Sequence, residues 1–70
     1  MNIKLKQARE ASGKTQAEVA QAVGIDPRLY QRYEYDTSTP NVRTAILIAR
    51  VLGSTVEQLF GARTEIAAPI

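Results

Sequence analysis

Breakers fix the outline of this chain before any other feature does. Its glycines stand at 13, 24, 53 and 61 and its prolines at 27, 40 and 69, and the segments between them are rich in Ala, Leu, Gln, Arg and Glu. That punctuation describes short helices and no sheet. The first helix is predicted from Ile3 to Ser12, stopping at Gly13, with Leu5, Ala8 and Arg9 on one side. The second opens with Thr15-Gln16-Ala17-Glu18, in which hydroxyl and carboxylate satisfy each other's free amides, and turns Val19, Ala20 and Val23 inward. The third starts at Asp26, a good cap, with Pro27 at the first helical position where a missing N–H costs nothing. The fourth follows Pro40 with Asn41 as its cap. Its apolar residues recur at Val42, Ala45, Ile46, Ala49 and Leu52 before Gly53 ends it. The last opens with Thr55-Val56-Glu57-Gln58, a second capping box, and buries Val56, Leu59 and Phe60. The expected architecture is all-α, a compact five-helix bundle over residues 1–61, followed by a loosely ordered tail, 62–70.

Seventy residues allow one domain, near the size at which a chain folds without a staple. With no cysteine and no histidine, disulfides, the usual zinc spacings and every Ser-His or Cys-His nucleophile are excluded, so no enzyme, metal site or cofactor is expected. No apolar run approaches the length of about 18 needed to span a membrane, and "MNIKLKQARE" lacks the apolar core of a signal peptide. The expectation is a soluble, cytoplasmic protein. Nine Lys and Arg against seven Asp and Glu leave a net charge of +2, which suits a nucleic-acid partner without requiring one.

Where the charge sits is more informative. With successive residues about 100° apart around the third helix, Arg28, Gln31, Arg32 and Tyr35 share one face, while Leu29, Tyr30, Tyr33 and Glu34 share the other. A solvated surface accounts for such a polar face on an isolated helix. Here the connection through Gly24 is short enough for the helix to cross the second at a steep angle, and Ala20 permits their close approach. In this helix-turn-helix geometry the later helix enters the DNA major groove. Arginine there pairs with guanine O6 and N7, and glutamine with adenine N6 and N7. Arg28, Gln31 and Arg32 are therefore the candidate base readers.

Residues 3 to 60 resemble the phage-repressor and Cro-like (XRE-type) helix-turn-helix family in "LKQAR", "TQAEVAQAVGI", "YQRYE", "TPN" and "LIARVLGSTVEQLF". The match rests on their combined spacing, since "TQAEVA" alone is weak. The resemblance implies a lambda-repressor-like domain that binds double-stranded DNA as a transcriptional regulator, a repressor, in a prokaryote or phage. Base-facing positions fall on Pro27, Arg28 and Arg32, with Gln31 beside them, and Pro27 brings no hydrogen-bonding side chain. Phosphate contacts fall on Gln16, with Lys14 and Thr15 close by, and on Tyr35, Thr37, Asn41 and Arg43 after the recognition helix. Arg9 and Glu34 match a pair the family buries as a structural salt bridge, which agrees with their inward faces. Asp36 stands where glycine is usual.

The family also implies a homodimer on paired half-sites about one helical turn apart. Leu47 and Val51 point away from the expected buried stripe and form a candidate dimer surface, to be covered by a second subunit or by the tail folding back through Ile66 and Ile70. Such a regulator obstructs RNA polymerase or touches it as an activator, and the sequence does not choose between these. A protein-interaction module on the same scaffold, an antitoxin or coactivator-like adaptor, is the alternative reading.

Overall fold

The computed structural model describes residues 1–61; the expectations for the tail, 62–70, including its fold-back and its part in a dimer, lie outside the described residues. Five helices follow one another: α1 (Ile3–Ala11), α2 (Gln16–Val23), α3 (Pro27–Glu34), α4 (Val42–Leu52) and α5 (Val56–Phe60). Each begins behind a side chain that accepts one of its free backbone N–H groups, from Asn2, Thr15, Asp26, Asn41 and Thr55 in turn. At Thr15 the box is complete. The Glu18 N–H donates to Thr15 Oγ1 at 3.1 Å and the Thr15 N–H to Glu18 Oε1 at 2.8 Å. The Thr15 backbone N–H and then its hydroxyl hold the Glu18 carboxyl below the usual range. The second box is only half made. Thr55 Oγ1 accepts from the Gln58 N–H, but Gln58 Oε1 accepts from Ser54 Oγ at 2.9 Å instead of reaching back to Thr55.

Gly24 makes the turn between α2 and α3. Its φ of 83° lets its own N–H donate to Gln21 O at 3.2 Å and the Ile25 N–H to Ala20 O at 3.0 Å, which caps α2 and turns Ile25 back against the core. A Cβ at this position would meet nothing within 4 Å, so only the backbone conformation resists a side chain. Gly24→Ala should therefore lose about 1 to 2 kcal/mol of stability, the left-handed penalty of an L-residue. Thermal unfolding checks this, and an unchanged midpoint would mean that the turn relaxes to another conformation.

After α3 the same device recurs without glycine. Asp36 has a φ of 62°, its N–H donates to Tyr33 O, and the Thr37 N–H donates to Arg32 O at 2.9 Å. A short polar side chain tolerates this region better than most.

Packing runs α2 on α3 and α4, α1 on α5 and α3, and α4 on α5. The core they enclose is Leu5, Val19, Ala20, Tyr30, Tyr33, Ala45, Ile48, Ala49, Leu52, Leu59 and Phe60. The rings of Tyr30 and Tyr33 meet edge to face at 6.5 Å. Asn2 adds a polar staple: buried, it donates from Nδ2 to Leu59 O at 2.8 Å and from its backbone N–H to Glu34 O at 2.7 Å.

On α4 the buried stripe differs from the expected one. Val42 and Ile46 are 40% and 39% exposed, while Ile48 is fully buried with Ala45, Ala49 and Leu52. Both stripes have helical spacing because this helix is apolar on most sides, and packing against α2 and α5 decides between them. Of the candidate dimer pair on this helix, Leu47 is half-buried, and Val51, also half-buried, packs against the core.

Candidate nucleic-acid interface

The first two turns of α3 form an exposed polar row. Pro27, Arg28, Gln31 and Arg32 are all exposed, and Tyr35, just past the helix end, is 56% exposed. Leu29 packs against the core and Tyr30, Tyr33 and Glu34 are buried, so α3 is held by one side and presents the other. Two exposed guanidiniums one turn apart, with an amide beside them, can donate to paired acceptors such as N7 and O6 of guanine.

The other candidate residues stand in two segments. Before α3 come Lys14, half-buried, Thr15 at the cap of α2, and Gln16 in its first turn. After it come Tyr35 and the loop to α4. Thr37 anchors this loop by donating its N–H and, at 3.4 Å, its hydroxyl to Arg32 O. Exposed Asn41 caps α4 by accepting from the Thr44 N–H at 2.8 Å, and exposed Arg43 follows in the first turn. Among these candidate phosphate and base residues a side-chain hydrogen bond joins Gln31 to Gln16; Gln31 Nε2 donates to Gln16 Oε1 at 3.2 Å.

Behind the row sits the ion pair. Arg9 Nε donates to Glu34 Oε2 at 2.6 Å and Nη2 to Oε1 at 3.3 Å, while Nη1 donates to Lys14 O at 2.9 Å. Their side chains are 12% and 1% exposed. Burial pushes the Glu34 carboxyl up, but hydrogen bonds from Arg9 and Gln16, the neighbouring Tyr30 hydroxyl and the Arg9 charge outweigh it, leaving the group below the usual carboxylate range. Arg9 is raised, first by its hydrogen bond to Glu34. Tyr30 is pushed far up, mainly by burial and then by Glu34; its hydroxyl lies beside the carboxylate without well-formed hydrogen-bond geometry.

One connection was missed from the sequence. Gln16 Nε2 donates to Glu34 Oε1 at 2.9 Å, so its amide is engaged at both ends, by the buried carboxylate and by Gln31. A resemblance that assigns Gln16 to phosphate carries no sign of this. The available signal is that Gln16, Gln31 and Glu34 are long polar side chains on facing sides of two helices that cross closely.

Among the described residues no group of three or more His, Cys, Asp or Glu could hold a metal, and no helix is long and apolar enough to cross a membrane. No curated protein and no solved structure matches the chain. The "Helix-turn-helix" (HTH_3) family model does match, over residues 5–59, from the middle of the first turn of α1 almost to the end of α5. With the turn at Gly24, the exposed row on α3 and this match across most of its length, the chain belongs to the XRE-type helix-turn-helix family of DNA-binding regulators.

Proposed function

We propose that this protein is a sequence-specific, double-stranded DNA-binding transcriptional repressor that lays α3 in the major groove and acts as a homodimer. The observation that carries this reading is the exposed row of Arg28, Gln31 and Arg32 on a helix whose other side is locked into the core. Arg28 and Arg32 read guanine, Gln31 reads adenine, and Pro27 shapes the helix start. Lys14, Thr15 and Gln16 before α3, and Tyr35, Thr37, Asn41 and Arg43 after it, hold the phosphates and set the register of α3. Occupancy of an operator then obstructs polymerase.

Selection of bound duplexes from a random pool at about 150 mM salt tests this, because non-specific affinity is suppressed there while base reading survives. A two-fold symmetric motif, with half-sites about one helical turn apart, is the expected result. A single unrepeated motif would overturn the dimer. Recovery of no motif, with weak and steeply salt-dependent binding, would replace the DNA reading with a protein-interaction module.

A further inference from the structure

The last carbonyls of α3 each need a donor from outside the helix. Three find one just beyond it: Gln31 O accepts from the Tyr35 N–H at 2.9 Å, Arg32 O from the Thr37 N–H at 2.9 Å and Tyr33 O from the Asp36 N–H at 3.3 Å. Glu34 O instead accepts from the backbone N–H of Asn2, far back in the sequence, at 2.7 Å. Asn2 is itself held on every side. Its Nδ2 donates to Leu59 O at 2.8 Å, its Oδ1 accepts from the Leu5 N–H at 3.0 Å and its carbonyl accepts from the Lys6 N–H at 3.2 Å, so each polar group of a residue only 8% exposed has a partner. The Met1 amino group lies 3.4 Å from Asp36 Oδ2, which sets the same stretch against the turn that follows α3.

We propose that Asn2 is a positioning residue for DNA binding. Through its N–H it holds the end of α3, and so sets where the loop from Tyr35 to Asn41 meets the phosphates. Only the population with this tie closed binds at full strength, so opening it weakens binding in proportion to the fraction lost. Arg28 and Gln31 stand nearer the Asp26 end of the helix, and their base preferences survive the opening. Asn2 lies outside the stretch that the family model matches, residues 5–59. The proposal rests on the DNA reading of α3 given above and adds to it a determinant outside the helix-turn-helix.

The test compares the wild type with Asn2→Ala and Asn2→Pro on the selected duplex and on random DNA, at a temperature where unfolding curves show all three folded. Alanine keeps the N–H and loses both side-chain bonds. Proline also removes the N–H, at a φ of −85° that its ring nearly reaches. Asn2→Pro should bind both duplexes about tenfold more weakly than Asn2→Ala, with the base preferences of the wild type retained. A merely structural tie would lower the unfolding midpoint without separating the affinities of the folded variants. The wild type supplies a second readout, which decides alone if Asn2→Pro does not fold. Binding and tie strengthen each other by the same factor, so hydrogen exchange at the Asn2 amide should slow about tenfold in the complex with the selected duplex.

Equal affinities in the two folded variants, a loss confined to the selected duplex, or an Asn2 amide that exchanges at the same rate with and without DNA would overturn the assignment. Absence of any motif in the wild type would instead overturn the DNA reading itself, and is recognised before the variants are compared.

Discussion

Replacing Arg9 with methionine should lower the free energy of unfolding by about 3 to 5 kcal/mol, because it strands a charge that is buried on the other side of the pair. The Glu34 side chain is only 1% exposed, and its two carboxylate oxygens accept from Arg9 Nε, Arg9 Nη2 and Gln16 Nε2. A described domain of 61 residues has roughly 3 to 9 kcal/mol of stability in all, so this variant would stand close to its midpoint without denaturant. The pH dependence gives the effect a second signature. In the wild type Glu34 is held below its reference value of 4.5, so its stabilisation is complete above that value and is lost as the pH falls toward the folded-state value. Without Arg9, burial is the largest remaining influence and acts in the opposite direction. The Glu34 contribution should then favour folding below the reference value and fade as the pH rises. Urea unfolding at pH 7 and between pH 3 and 5 separates the cases. A loss under about 1 kcal/mol with an unchanged acid slope would mean that the pair behaves as a solvated one. Adding Glu34→Leu to Arg9→Met should recover part of the loss, since the stranded charge is then gone.

Which parts of this molecule are legible in its sequence follows from how local their causes are. Caps are local: Thr15, Asp26 and Asn41 each act on an N–H two or three residues away, and each can be placed from sequence. The left-handed turn at Gly24 and its non-glycine counterpart at Asp36 are equally local, because the conformational limit belongs to the residue itself. Arg9 and Glu34 are far apart in sequence, yet each shares a face with core residues, and two opposite charges facing one core require each other. Periodicity serves less well on α4. Val42, Ile46, Ile48 and Ala49 all lie on plausible stripes, and the choice of Ile48 over Val42 and Ile46 comes from helices α2 and α5, which no window of α4 contains. Gln58 shows the same limit on a smaller scale, where Ser54 competes for the side chain that the capping box would use. Gln16 and Asn2 are the furthest from local reading. One joins α2 to α3 through a buried carboxylate and the other joins α1 to α5, and both roles depend on the tertiary approach of groups that have several possible partners.

Removing both Arg28 and Arg32 should cost about 2 to 6 kcal/mol on the selected site, since each bidentate pair with guanine contributes about 1 to 3 kcal/mol. The two side chains lie one turn apart, close enough to couple, so the double variant is expected toward the lower half of that range, about a hundredfold in affinity. Both are exposed and neither takes part in the core, so the unfolding midpoint should stay near that of the wild type. What distinguishes base reading from general charge is the comparison of substrates and salts. Removing a cation that neutralises a phosphate lowers the slope of log affinity against log salt by about 0.9, whether the DNA is the selected site or random. Base readers carry most of their contribution on the selected site alone. The double variant should therefore bring the affinity ratio between selected and random duplexes down toward one, while the salt slope on random DNA falls by less than about one unit. Equal losses on both duplexes, with a slope reduced by nearly two units, would make Arg28 and Arg32 backbone-binding residues. Base reading would then have to come from Gln31 alone, and one amide cannot define a half-site, because it discriminates at a single base pair.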